Sequence, residues 1–304
     1  MSKSVHRFAL LVACATFFLI IAGANVTSHD AGLATSDWPR SNGTFFPKMV
    51  GNLFWEHGHR IVATGVGILT IALAVYLQIR ERRSWVKRLG WIALGGVIAQ
   101  GLLGGLTVKM NLPLAVSAAH ATLAQLFFLI TVSLAVFTSR HWVTPESSVT
   151  ENGAGVSLRS LCVAALAVIL TQLVLGATLR HSATWDQDLP TGLLLAHVGG
   201  AIAVTLILGA TAATVLLRHR TEKYLTRPAL VAATLLFIQL LLGLAAYITR
   251  VASPYDPQPM TPMVSVTVSH VACGALVFAT TIVLTLRVFR VLRVDRQEYV
   301  LAPA

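Results

Sequence analysis

The chain has 304 residues, 55% of them hydrophobic and 12% charged, with a mean hydropathy of +0.73. That balance excludes a soluble protein with a single anchor and points to many membrane crossings. The formal charge of +11 does not argue for nucleic acid: in so apolar a chain, Lys and Arg mark cytoplasmic loops and contacts with anionic lipid.

A membrane span needs about 20 mostly apolar residues. The first such run, 8–27, follows Lys3 and Arg7. It is long enough to cross and has no small-x-small site at its end, so it reads as a first helix rather than a cleaved signal peptide. Seven more runs follow, at 60–79, 86–108, 114–138, 158–179, 191–217, 228–249 and 262–286. Of the 23 Lys and Arg, six (Arg40, Lys48, Arg60, Lys109, Arg180 and Arg250) fall on one side of these runs. The others gather at the two termini and in the loops after the second, fourth and sixth runs, which predicts that both termini are cytoplasmic. Cys14, Cys162 and Cys273 lie far apart inside apolar runs, a spacing that suggests neither a disulfide nor a metal site.

The outer loop at 28–55 carries Trp38, Pro39, Gly43 and Pro47, turn-rich chemistry that suits an ordered cap over the membrane face. The polar cytoplasmic stretch at 144–155 reads as a linker between halves. Three outward-running helices share a motif: Gln100-Gly-Leu-Leu-Gly104, Gln172-Leu-Val-Leu-Gly176 and Gln239-Leu-Leu-Leu-Gly243. A four-helix unit repeated in parallel explains this, because an even helix count preserves orientation. The plainer explanation is that Gln and Gly help helices pack. The expected fold is therefore all-α, eight transmembrane helices in two pseudo-symmetric four-helix bundles, residues 1–145 and 155–304.

At the mouth of the second run stands Trp55-Glu56-His57-Gly58-His59-Arg60, and ionisable groups in such a place are costly enough to suggest function. His6, His141 and His219 fall at cytoplasmic ends and read as solvated surface residues. His29 and His181 occupy matching places past the first and fifth runs, where they line a polar cavity or face water. His59, His120, His197 and His270 differ, because each lies in the first turns of an even-numbered helix, at one depth on the outer side. A lone intramembrane His is commonly an interhelical hydrogen-bond partner, but four in one register are hard to explain that way. Each precedes a small residue by four positions (Ala63, Ala124, Ala201 and Gly274), on the same helix face, where a flat macrocycle could lie close.

Two histidines from facing helices can ligate a heme iron inside a bundle. The expected metal sites are thus His59 with His120 and His197 with His270. Zinc would want more carboxylate or thiolate partners than Glu56 alone, and a His/Glu proton relay is the other alternative. His57 lies about 200° round the helix from His59, so it cannot share that iron and is expected to face the outer loop or water.

Taken together, Glu56-x-x-His59-Arg60, the loop run Ala31-Gly-Leu-Ala-Thr-Ser-Asp-Trp-Pro39, the Gln-x-x-x-Gly motifs and the histidine on each even helix resemble the heme A synthase family of bacterial type. The resemblance spans nearly the whole chain. It implies an oxidoreductase of the bacterial plasma membrane that converts the C8 methyl of heme O to the formyl of heme A for cytochrome oxidase. It further implies that His59 and His120 surround the substrate heme, that Glu56 acts beside the methyl being oxidised, and that His197 and His270 hold a resident heme b that relays electrons. Arg60 would bind a heme propionate, or else serve as an interfacial snorkel. Many members carry two loop cysteines flanking Asp-Trp-Pro; the aligned residues here are Thr35 and Ser41, so the loop must be held another way, by packing of Trp38, Phe45 and Phe46.

Two other readings compete with that enzyme. One is a di-heme b-type electron-transfer protein linked to quinol; the other is a transporter with a His/Glu proton path. A carboxylate beside one histidine of the four favours the enzyme. The partners expected are heme O, a heme O synthase, membrane lipid and an electron acceptor, with a homo-oligomer left open.

Overall fold

The computed structural model describes residues 3–143, 149–151, 156–182, 188–250 and 259–294. In chain order the helices are α1 (Lys3–Ser28), α2 (Asn52–Arg80), α3 (Ser84–Lys109), α4 (Leu114–Phe137), the single turn α5 (Arg140–Val143), α6 (Leu158–His181), α7 (Thr191–Arg218), α8 (Lys223–Arg250) and α9 (Thr261–Val291). All but α5 are long and apolar enough to cross a membrane, as the eight apolar runs predict. The chain is a multi-pass membrane protein.

Three helices, α1, α2 and α8, start five or more residues before their apolar runs. α2 begins at Asn52 behind Gly51, whose φ of 56° is a conformation that favours glycine. The charged run 55–60 therefore lies inside the helix, where Glu56 and Arg60 are one turn apart and pair. α8 begins at Lys223 and carries Pro228 within it. Proline has no N–H to offer the carbonyl four residues back, and that carbonyl, on Tyr224, accepts instead from Arg287 Nη1 of α9 at 2.9 Å. Pro262 of α9 sits in the first turn, where no intrahelical donor is required.

α1 packs on α2 and α4, α2 on α3, and α3 on α4, closing a ring of four helices. α6 packs on α7 and α9, α7 on α8, and α8 on α9, closing a second. The rings meet where α4 lies against α9, with α1 touching α9 and α4 touching α6. One core joins Val5, Val12, Leu73, Leu77, Phe127 and Leu134 across the first ring. A smaller cluster of Ile20, Phe128, Ala275 and Ala279 fills the seam. Buried Thr70, Thr131, Thr211, Thr281 and Thr285 return their hydroxyls to carbonyls three or four residues back, so these five donors are paired within their own helices.

At the end opposite the loop 29–51, Glu81 closes the tight turn between α2 and α3. It accepts from Arg83 Nη2 at 2.9 Å and from the Arg82 and Arg83 amides, while Arg83 Nη2 also donates to the Phe137 carbonyl of α4. Burial alone would push the Glu81 carboxyl up, but these donors and the Arg83 charge hold it below its ordinary value.

The all-helical expectation needs one small amendment. Val149–Glu151 and Leu292–Val294 form strands β1 and β2, paired in parallel with Val149 opposite Leu292. The rest of the expected linker at 144–155, apart from Val156 beyond it, lies outside the described residues. The expectation that His219 is a solvated surface residue is also corrected. It is 8% exposed, because it follows directly on α7 and its amide still bonds back to Val215. His141 is exposed, and His6 bonds through Nδ1 to the Ala135 carbonyl of α4 at 3.0 Å.

Candidate functional site

The four histidines of α2, α4, α7 and α9 share one local construction. Each imidazole lies edge-on against a glycine of the preceding long helix. A Cβ added at Gly23, Gly104, Gly176 or Gly243 would stand 3.1, 3.0, 2.9 or 3.2 Å from Cε1 of His59, His120, His197 or His270 respectively. A Cβ that close would push each ring back by a few tenths of an ångström or more, so glycine is what lets each imidazole edge approach its neighbour. The Gln-x-x-x-Gly motif announces three of these glycines. Gly23 is the fourth, and sequence reading misses it because Leu19 stands where the other helices have Gln.

The glutamines reach the same rings. Gln100 Nε2 donates to the His120 carbonyl at 3.0 Å and lies 3.4 Å from its Nε2. Gln172 Nε2 donates to the His197 carbonyl at 2.9 Å and lies 3.1 Å from its Nδ1. Gln239 Nε2 is 3.2 Å from His270 Nε2. Of the small residues four positions on, Gly274 has the Gln239 amide beside it.

His197 and His270 face each other with ring centroids 6.4 Å apart and planes at 71°. A metal held at about 2.0–2.1 Å by one nitrogen of each of two opposed imidazoles would place ring centres roughly 6.3 Å apart, close to the separation of this pair. Buried ring nitrogens without partners support a ligand role: Nδ1 of His59, of His120 and of His270 has no hydrogen bond, a costly state for a merely structural group. Among the described residues, no three His, Cys, Asp or Glu side chains converge as a metal cluster. The geometry on offer is paired histidines.

Glu56 is buried, 4% exposed, one turn before His59 on α2. Its Oε2 accepts from the Thr35 amide at 3.0 Å, and its Oε1 pairs with Arg60 Nη2. Arg60 Nη1 then donates to the carbonyls of Asp37 and Arg40 at 2.9 and 2.8 Å and to Ser41 Oγ at 3.1 Å. The carboxylate that Arg60 meets in this structure is that of Glu56. Pair and loop form one hydrogen-bonded unit. His57 faces the loop too, with Ser41 Oγ 2.8 Å from its Nδ1 and the Phe45 carbonyl 3.2 Å from its Nε2. His29 stacks on Trp55 with centroids 4.0 Å apart. Arg180, beside His181, donates to the Thr27 carbonyl at 2.7 Å, tying α6 to the end of α1.

The loop is ordered, but not by the packing expected of it. Phe45 and Phe46 are 54% and 94% exposed, so they anchor nothing inside the protein. Trp38 does pack: its indole lies where a Cβ on Gly105 of α3 would come within 2.6 Å of the ring. Leu112, from the turn after α3, seats against Gly32. The remaining hold is polar and runs through Thr35 and Ser41. Thr35 Oγ1 accepts from the Asp37 and Asn42 amides, each at 3.3 Å, and Ser41 is shared by His57 and Arg60. Both Thr35 and Ser41 are buried. Hydrogen bonds through Thr35 and Ser41 clip this loop.

Comparison with known proteins bears on this arrangement. The chain is similar to the heme A synthase of Symbiobacterium thermophilum, 28% identical over 228 residues that make up 68% of this chain and 74% of that protein. It is 26% identical to the heme A synthase of Bacillus licheniformis over 60% of this chain, spanning about three fifths (61%) of that relative's length. A further stretch of 134 residues, 42% of this chain, is 35% identical to 28% of a protoheme IX farnesyltransferase of Haloarcula marismortui. The model of the cytochrome oxidase assembly proteins, COX15-CtaA, matches residues 48–282, from the loop before α2 into the last long helix. All four histidines and Glu56 fall inside that match, and the chain belongs to the cytochrome oxidase assembly protein family.

Proposed function

We propose that this protein is a heme A synthase, an oxidoreductase that takes heme O as substrate and releases heme A. Family membership and relatives of that name support the reading. The observation that carries it is an asymmetry: of four histidines built alike, one has a buried carboxylate a single turn away. A pair of purely electron-carrying hemes has no use for that difference.

On this reading the chain forms two related four-helix halves, 1–145 and 155–304, in a bacterial plasma membrane, with both termini cytoplasmic and the sites near the outer face. His59 and His120 flank the substrate. His197 and His270 hold a resident heme b, for which their 6.4 Å ring spacing is suited. That heme supplies a one-electron path out of the substrate site. Glu56 stabilises positive charge that builds on the methyl carbon as electrons leave it, and it is the group placed to take a proton. Arg60 and the Thr35 amide keep the carboxylate aimed, while Arg60 also ties the loop 29–51 to α2. A heme O synthase is the natural donor; the farnesyltransferase match fits a partnership between the two activities.

The test is heme extraction and chromatography after co-expression with a heme O source. Heme A should appear, and His270→Ala should lose the resident low-spin heme. Recovery of heme O and heme B alone from well-folded protein would overturn the assignment.

A further inference from the structure

The two glycines that seat His197 and His270 share their helix faces with arginines. Arg180 follows Gly176 by four residues on α6, and Arg250 follows Gly243 by seven on α8. At 3.6 residues per turn these spacings bring each arginine within about 40° of its glycine, one or two turns nearer the helix C-terminus. The Cα–Cβ bond of a helical residue tilts toward the N-terminus, so both side chains leave the helix leaning back toward the rings. α6 and α8 stand opposite one another in their ring of four, so the two arginines approach the same pocket from two sides. Both are half-buried at the ends of membrane-spanning helices, a place where a cation is costly and is kept for a partner of opposite charge. Arg180 also braces the two halves, donating from Nη2 to the Thr27 carbonyl of α1 at 2.7 Å. A guanidinium has five N–H donors in a planar fork, which suits it to hold a backbone carbonyl and a carboxylate together.

The N-terminal half lacks these arginines. The same two spacings beyond Gly23 give Thr27 and Asp30, and beyond Gly104 they give Val108 and Asn111. Two cations on its long helices at that end, Arg60 and Lys109, meet the loop 29–51 instead. Arg60 pairs with Glu56 and donates to loop carbonyls, and exposed Lys109 lies 3.5 Å from the Ser36 carbonyl.

We propose that Arg180 and Arg250 form a two-point clamp for the two carboxylates of a heme held between His197 and His270. A heme carries both propionates on one edge, so one orientation in the pocket turns them toward the end of the bundle where the arginines stand. Arginine grips a carboxylate through paired, charge-assisted hydrogen bonds. The clamp accounts for residence: the heme of the C-terminal half is fixed by its ligands and by its acid edge. The N-terminal half, with no arginine at either place, takes a heme that enters as substrate and leaves as product. The inference rests on the heme-binding reading above, and its test separates the two.

The parent for the test is the full-length protein carrying His120→Ala, so that the C-terminal heme supplies the signal. Heme release to excess apomyoglobin is followed by absorbance, and the propionate bending mode is read by resonance Raman spectroscopy. Arg180→Gln and Arg250→Gln should each speed release about tenfold or more, the weight of a hydrogen bond to a charged group, and each should shift the propionate mode. Lys at either place, which keeps the charge but loses the fork, should fall between. Lys109→Gln should change neither readout. A brace between helices and no more would speed release without moving the propionate mode. That outcome in either Gln variant, or release within twofold of the parent, overturns the clamp while the di-heme reading stands. If Arg180→Gln fails to fold because the Thr27 contact is lost, Arg180→Lys and Arg250→Gln are judged by the same two readouts. Protein that binds no low-spin heme at all would sink both.

Discussion

Glu56 has two employments. Its Oε2 holds the Thr35 amide and its Oε1 holds Arg60, so Glu56→Ala takes away a charge near the substrate and a loop anchor together. The expected outcome is retained heme b with heme A output reduced at least about a hundredfold, a loss of roughly 3 kcal/mol in transition-state stabilisation of the size seen when an aimed electrostatic group is removed. Extracted heme should then be heme O, or a partly oxidised form of it; normal heme A yield in Glu56→Ala would remove the residue from the chemistry. Glu56→Gln separates the roles, because the amide can still accept from Thr35 while the charge is gone. At this scale the sequence was informative where residue type limits the choices: His59 over His57 follows from helix geometry, and His57 does face the loop. It was silent where an absence carries the information. Gly23 and Leu19 have no polar signature, so one member of a four-fold pattern stayed hidden until the helices were seen side by side.

At the scale of elements, the eight apolar runs become eight long helices because length and hydropathy suffice to specify a span. Their starts are less legible. α2 extends through a charged run because Glu56 and Arg60 satisfy one another a turn apart, and α8 extends through Pro228 because a guanidinium from α9 replaces the missing donor. The loop 29–51 misleads for a related reason: its aromatics look like anchors, yet its hold is mainly polar, with Trp38 as the apolar exception. Gly105→Ala tests that exception. A methyl within 2.6 Å of the indole must displace Trp38, so the variant should bury its tryptophan fluorescence less and expose the loop to protease at rates well above those of the unaltered protein. Unchanged cleavage would show that the polar clip suffices. The turn between α2 and α3 offers a pH test. A carboxylate held below its ordinary value contributes stability above the unfolded pKa and loses it as pH falls through the folded one. Thermal stability should therefore decline on acidification below about pH 4.5, and Glu81→Gln should lose part of that slope, with a cost of about 1–3 kcal/mol at neutral pH. An identical pH profile in the variant would put the acid sensitivity elsewhere.

For the whole molecule, charge distribution predicts orientation. With both termini inside, a reporter active only in the cytoplasm should work when fused after Ala304 or in the turn near Arg220, and fail when inserted in the loop near Asn42. The reverse pattern would invert every statement about inner and outer faces. The division into two rings was visible in the repeated Gln-x-x-x-Gly motif. The way the rings meet was not, because the seam of Ile20, Phe128, Ala275 and Ala279 reads like any other stretch of apolar helix, and nothing in a single sequence marks which apolar face meets lipid and which meets protein.

The Glu56–Arg60 clasp has a consequence for how variants combine. Its two members hold the loop at different points, Glu56 at Thr35 and Arg60 at Asp37, Arg40 and Ser41, and each steadies the other through the ion pair, so their removals are not independent events. Arg60→Ala and Glu56→Ala should each free the loop, and the doubly substituted protein should be scarcely worse than the poorer single variant, giving a coupling free energy of about 1–3 kcal/mol in a double-mutant cycle. A genetic background that has lost Glu56 therefore loses most of its structural reason to keep Arg60, whereas one that has lost Arg60 still needs Glu56 for the chemistry.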